Sequence, residues 1–170
     1  MNKITFFMFF LIHTSVFATE DYMSMEVNSQ GLGLIKIGMK PSEVSNILGV
    51  DITKTKTQYN TGECFSYSLG KNRFGGNVRF LVNKGILSVI SIYTNKIKTD
   101  KGISTMQPPS AAENSYANLH EKGTSHYGDI MISVKYPSDK TILRFVGSKK
   151  YIRYMSIGKK PEINFTEGCL

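Results

Sequence analysis

Residues 78–93 read VRFLVNKGILSVISIY and residues 143–158 read LRFVGSKKYIRYMSIG. Laid over each other without a gap, the two segments match at an offset of 65. Arg79 meets Arg144, Phe80 meets Phe145, Lys84 meets Lys149, Ser91 meets Ser156 and Ile92 meets Ile157. Several of the remaining pairs set apolar on apolar. Each segment predicts strand, short turn, strand, with Asn83-Lys84-Gly85 turning the first and Gly147-Ser148-Lys149 the second. Glycine supplies the positive φ that such turns need. Two near-copies of one hairpin predict a chain built from a duplicated unit.

The parallel extends upstream. CFSYSL (residues 64–69) precedes the first hairpin and DIMISVKY (residues 129–136) the second. In the latter, Ile130, Ile132, Val134 and Tyr136 alternate onto one face, as in a half-buried strand. In the former, Phe65, Tyr67 and Leu69 share a face and Cys64 takes the other. Further back, GLGLIKIGMKPSEVSNILG (residues 31–49) reads as a strand, a Gly-Met turn and a helix from Pro41 to Leu48. Val44, Ile47 and Leu48 point inward and Gly49 stops the helix. Its second copy is GISTMQPPSAAENSYANL (residues 102–119), aligned through Pro41-Ser42 and Pro109-Ser110. There Ser110 and Glu113 predict a capping box, with Ala112, Tyr116 and Leu119 toward the core. The expected fold class is α+β, a tandem repeat of a short helix plus antiparallel strands whose sheets join or share one core. The repeats span 31–97 and 98–160, within a single domain 19–170 that ends in a tail, 161–170. The MSMEV segment adds a strand with Met23, Met25 and Val27 on one side.

The first 18 residues predict a secretory signal peptide. Lys3 gives the positive start, residues 4–12 are almost wholly apolar, and Val16 and Ala18 mark a small-residue cleavage site. The apolar run is shorter than the roughly 20 residues a membrane-spanning helix needs. A periplasmic or secreted chain, cleaved near Ala18, is expected. The net charge of +8 would suggest nucleic acid in a cytosolic protein. Export excludes that partner, and the basic residues are scattered, which leaves a weak attraction to anionic surfaces. The two cysteines, Cys64 and Cys169, predict a disulfide in an oxidising compartment.

At IKIGMKPSEVSNILG the chain resembles two families. One is the small lipoproteins of the outer-membrane β-barrel assembly machine (SmpA/OmlA-like), whose domain opens with G-M-[TS]-x-x-[EQ]-V-x-x-x-L-G. Gly38, Met39, Glu43, Val44, Leu48 and Gly49 match that pattern. The other is the β-lactamase inhibitory proteins, exported tandem repeats of a helix-plus-sheet unit with a similar cassette. Length, export and duplication fit the second group better. Two departures stand out: no lipid-carrying Cys follows the apolar run, and Lys40 occupies the place of a helix-capping hydroxyl. The resemblance implies a scaffold role for the cassette. Gly38 permits the bend between strand and helix, and Met39 plugs the core beneath.

Catalytic patterns are weak. His120, Glu121, His126 and Asp129 lie close in sequence, but the spacing is not H-E-x-x-H, and Gly123 between them predicts a loop. Ser125, His126 and Asp129 are too near in sequence to form a triad assembled from distant segments. No catalytic residue, metal site or cofactor is therefore expected. The binding candidates are Lys71, Arg73 and Phe74 in the loop GKNRFGGN (residues 70–77), where an exposed aromatic beside Arg has hot-spot chemistry. Phe74 folded back as a lid over the core is the competing reading. Tyr151 and Arg153, with Tyr154, offer a second aromatic-basic surface. The expected function is an exported, non-enzymatic protein-binding module of the inhibitor, immunity or envelope-assembly type. Its partner would be another exported or envelope protein. The alternatives are an envelope-polymer or carbohydrate-binding protein and, third, a metal-dependent hydrolase.

Overall fold

The computed structural model describes residues 21–52, 63–70 and 76–164. The first half runs β1 (Glu26–Asn28), β2 (Gly31–Leu32), β3 (Ile35–Lys36), α1 (Pro41–Leu48), β4 (Cys64–Leu69), β5 (Val78–Asn83) and β6 (Ile86–Ile92). Then come β7 (Lys98–Thr99), α2 (Pro109–Ser115), β8 (His120–Thr124), β9 (Ile130–Tyr136), β10 (Thr141–Gly147), β11 (Ile152–Gly158) and a 3₁₀ turn (Glu162–Asn164). The fold is α+β. A seven-stranded antiparallel sheet has the order β4-β5-β6-β11-β10-β9-β8, and a small mixed sheet has the order β3-β2-β1-β7. The expected signal segment, the loop residues Lys71, Arg73 and Phe74, and Cys169 lie outside the described residues. No described helix is long and apolar enough to cross a membrane.

Strand alternation sorts the large sheet into two faces. Two apolar rows cross its inner face. One runs Tyr67, Phe80, Ile90, Ile157, Leu143, Val134, and the other Leu69, Val78, Ile92, Met155, Phe145, Ile132. Most of these side chains are fully buried, against Val44 and Leu48 of α1, Ala112 of α2 and Tyr116 at its C-cap, and Val27, Leu32 and Ile35 of the small sheet. Each such large side chain contributes about 1.5–3 kcal/mol. Two three-stranded meanders thus meet edge to edge at β6 and β11, with β8 added at one side.

The same backbone devices occur in each half. Gly38 N–H donates to Leu87 O and Leu87 N–H to Met39 O, both at 2.8 Å. In the second half Met106 N–H donates to Ile152 O and Ile152 N–H to Gln107 O, again at 2.8 Å. These pairs lock the segment before each helix onto a central strand. Both central strands also carry a β-bulge. Ser88 is the extra residue where Leu81 pairs with Val89 and Val82 with Leu87. Arg153 is the extra residue where Val146 pairs with Tyr154 and Gly147 with Ile152.

Local signals decide the ends. The first hairpin closes on Lys84 and Gly85, both at positive φ (50° and 76°), as a two-residue primed turn requires. The second loop is longer, spanning residues 148–151. Helix α1 has the expected limits, with Gly49 left-handed at its C-cap. Only half of a capping box forms at Lys40: the Glu43 carboxylate accepts from the Lys40 backbone N–H at 2.7 Å, while the Lys40 side chain accepts nothing from the first turn. Three expectations need correction. Ser110 is not the cap of α2, because Pro108 takes that position and Pro109 starts the helix. The helix stops at Ser115, so Leu119 is 45% exposed rather than inward. Residues 120–124 form an edge strand, not a loop, since pairing with β9 supplies backbone partners that polar side chains do not oppose.

Candidate functional site on the outer sheet face

Between the two apolar rows, on the opposite face, lies a polar row. Its members are Ser68, Arg79, Ser91, Ser156, Arg144 and Ser133, each directly across from the next. Ser91 and Ser156 sit at the centre, where β6 meets β11, with their Oγ atoms 2.8 Å apart. Either hydroxyl can donate, so the pair satisfies itself and leaves a lone pair toward the face. Ser68 and Ser133, Arg79 and Arg144, and Ser91 and Ser156 all stand 65 positions apart.

A groove of ≈ 570 Å³ lies over this row. Its floor is Leu81, Val89, Ser91, Ser156 and Val146. One wall is the Glu162–Asn164 turn, which lies across the face. Ile163 packs on Leu81, Val89, Ile142 and Cys64 in a small cluster separate from the main core. Arg144 fixes this turn, donating to Ile163 O at 2.8 Å and to Asn164 Oδ1 at 2.9 Å. Asn83, opposite Cys64 in the sheet, donates to Glu162 Oε1 at 3.1 Å.

The far side of the groove is aromatic and charged. Tyr93 and Tyr154 lie with ring centroids 5.5 Å apart, and the Arg79 guanidinium sits 5.4 Å above the Tyr93 ring. Such contacts are worth roughly 0.5–1 kcal/mol each at partly exposed sites. The bulge at Arg153 turns Arg153 and Tyr154 into the groove on successive positions, the re-aiming that bulges achieve. Arg153 pairs with Asp129, while its Nε is buried without a hydrogen-bond partner. Asp129 belongs to the β8–β9 turn, closed by Ser125 N–H to Asp129 O at 2.8 Å and Asp129 N–H to Ser125 Oγ at 3.1 Å. Tyr127 on that turn is 63% exposed at the groove mouth.

Three arginines and one aspartate line the groove, so its field is positive. Among the described residues Arg144 has neutral hydrogen-bond partners, and burial pulls its guanidinium below the usual value; an arginine stays charged regardless. Burial, then the neighbouring Tyr93, pushes the Tyr154 hydroxyl up, so it remains a donor at neutral pH. The arrangement can grip acceptors and anions and stack planar or apolar groups.

Of the residues singled out from sequence, Arg153 lies in this groove and Tyr151 does not. Tyr151 sits half-buried in the β10–β11 loop, where its carbonyl accepts from Ser148 N–H at 3.1 Å. Among the described residues His120, Glu121, His126 and Asp129 make no metal-ligating group. His120 Nδ1 lies 3.0 Å from Tyr116 O instead, and Glu121 pairs with Lys135. Sequence reasoning matched Arg79 with Arg144 and Ser91 with Ser156 as repeat positions, without reading them as a surface. The signal was present: polar residues held at matching positions inside otherwise apolar strands.

No protein-family model matches the chain, and no curated protein matches it significantly in sequence. Among solved structures it is similar to a DUF4309 family protein (YjgB) from Bacillus subtilis, at 13% identity and a TM-score of 0.46. The match covers 78% of this chain and 86% of that one.

Proposed function

We propose that this chain is an exported, non-enzymatic protein-binding module that grips its partner with the outer face of the seven-stranded sheet. The observation that carries this reading is the groove itself. It presents Arg79, Arg144, Arg153 and the Tyr93–Tyr154 pair on the sheet face opposite the one that packs on α1 and α2. Arginine and tyrosine in a half-enclosed setting are the residues that dominate protein–protein binding energy. The excess of arginine over aspartate selects a partner segment carrying acceptors or negative charge.

The scaffold reading completes the proposal. The chain is a tandem duplication, with units 31–97 and 98–160 related by a two-fold axis through the Ser91–Ser156 pair. Supporting it are the matched hairpins, the matched bulges at Ser88 and Arg153, and the matched clamps onto Leu87 and Ile152. Export through residues 1–18 and a Cys64–Cys169 bridge belong to the same reading.

The test is site-specific photo-crosslinking in the native envelope. A photoreactive residue replacing Tyr127, at the groove mouth, should capture one discrete protein. The same probe replacing Lys96, away from the groove, should not, and Tyr93→Ala should abolish capture from position 127. Equal capture from both positions, or none from 127, would overturn the reading. Envelope-polymer binding is the second reading, favoured by the ring pair beside the basic residues. It predicts salt-sensitive retention on purified envelope polymer without a protein crosslink.

A further inference from the structure

We propose that the Glu162–Asn164 turn is an autoinhibitory clasp, filling an outer-face seat that a partner's segment takes over by displacing it. The proposal deepens the binding role proposed above and rests on it.

The seat is built into the sheet. Beside the polar row runs an apolar one, in which Leu81 pairs with Val89, Val89 with Gly158 and Gly158 with Ile142. Leu81, Val89 and Ile142 are buried with Ile163 in a cluster apart from the main core. Gly158 puts no side chain between Val89 and Ile142, and a Cβ there would meet Ser88 O at 2.7 Å. The row therefore keeps a dip at its middle. Uncovered, an apolar patch of this kind marks an interaction site.

The cover is lightly held. Ile163 N–H donates to Lys159 O and Asn164 N–H to Pro161 O, both at 2.9 Å, so these groups serve the turn and not the sheet ladder. Among the described residues its ties to the sheet are the Ile163 side chain, the Asn83 bond to Glu162 and the two bonds from Arg144. Segments near a chain end, tied without ladder bonds, open at lower cost than paired strands.

The charges are also mismatched. Arg144 donates to a carbonyl, an amide oxygen and, at 3.4 Å, the Ser133 hydroxyl. The turn's own carboxylate, Glu162, goes to the neutral Asn83 instead. A carboxylate on Arg144 would make a bond roughly twice as strong as these. The clasp thus fits the seat in shape and leaves its charge unanswered. The segment that displaces it carries an apolar residue followed by Asp or Glu. Because the clasp is tethered, its effective concentration excludes segments that lack the acidic residue.

The experiment titrates the full methyl-labelled chain, thiols reduced, with acetyl-Lys-Pro-Glu-Ile-Asp-amide and follows it by NMR. The peptide copies residues 160–164 with Asp at the last position. In Ile163→Ser the Leu81, Val89 and Ile142 methyls should shift saturably, while the inner-face methyls of Leu143 and Ile157 hold still and show the fold intact. Wild type should bind about tenfold more weakly, because the clasp leaves few seats vacant. Arg144→Gln, added to Ile163→Ser, should weaken binding about tenfold through loss of the charge-assisted pair. No saturable shift in Ile163→Ser, equal affinity in wild type, or indifference to Arg144→Gln would overturn the proposal. A second measurement needs no peptide. Asn164→Asp gives Arg144 its carboxylate and should slow amide hydrogen exchange at Ile163 several-fold, and unchanged exchange would count equally against the clasp. If crosslinking captures a partner at the groove while Ile163→Ser binds the peptide no better than wild type, the binding role stands and the clasp does not.

Discussion

Gly38 and Met106 hold the same post in the two halves, each donating its N–H to a central strand at positive φ, 101° and 68°. Glycine adopts that conformation without a Cβ penalty, whereas an L side chain meets a carbonyl oxygen there. Met106 is 61% exposed, so its side chain recovers little by packing. Met106→Gly should therefore raise unfolding stability by about 0.5–1 kcal/mol in urea melts. Gly38→Ala should lower it by about 1–2 kcal/mol, although the space beside Gly38 is open. An equal response at both sites would mean that backbone strain is not what separates them. Tyr136 carries a different cost, since its buried hydroxyl lies beside that of Tyr116 but finds no partner in good hydrogen-bond geometry. Tyr136→Phe should stabilise the protein by about 1 kcal/mol at neutral pH. Burial also pushes the hydroxyls of Tyr116, Tyr136 and Tyr154 above their ordinary value. The unfolded chain ionises these groups near pH 10 while the folded chain resists, so it is the unfolded state that loses protons there. Their stabilising contribution is whole below about pH 10 and falls as pH rises beyond it. The alkaline slope should be shallower in Tyr136→Phe, and a slope identical to wild type would exclude Tyr136 from it.

Helix α1 was legible in sequence to the residue, because proline at its start, apolar residues at helical spacing and glycine after its end all agree. Its weakness was legible as well. Glu43 satisfies the Lys40 backbone N–H, but no side chain at position 40 accepts from the first turn. Lys40→Ser would supply the missing half of the capping box and should add about 0.5–1 kcal/mol, read as a shift in urea midpoint at constant slope. No shift would show that water already serves those N–H groups equally well. The hairpins and β9 were readable for the same reason, a clear period of two. Other elements carry no period to read. Strand β8 has the sequence His-Glu-Lys-Gly-Thr and sits at the sheet edge, where no burial demands apolar residues. The strands of the small sheet are two or three residues long, shorter than any pattern. In α2 the consecutive prolines moved the start ahead of the Ser-x-x-Glu pattern, since proline fits the first helical turn and cannot donate within it.

The groove appears only at the scale of the whole molecule. Six polar residues from six strands form one row because two meanders meet with Ser91 opposite Ser156, and no single-strand pattern specifies that meeting. The tail that walls the groove connects this geometry to the cysteines. Cys64 is buried in the cluster that receives Ile163, and its cross-strand neighbour Asn83 holds Glu162. The chain is thus returned beside Cys64 shortly before it reaches Cys169, and the described residues include no free thiol. A bridge between the two would enclose residues 64–169, from β4 to the tail, in one loop. The chain-entropy gain for a loop of that length is about 4–5 kcal/mol, of which measurement commonly recovers less. Cys169→Ser should therefore cost about 2–4 kcal/mol under oxidising conditions and nothing further after reduction. The same substitution should loosen the Glu162–Asn164 turn, seen as exchange broadening at the Leu81 and Ile142 methyls while the inner-face methyls stay sharp. Alkylation of both thiols in the native, unreduced protein would refute the bridge. Among the described residues, the wall would then be held by Arg144, Asn83 and the seat of Ile163.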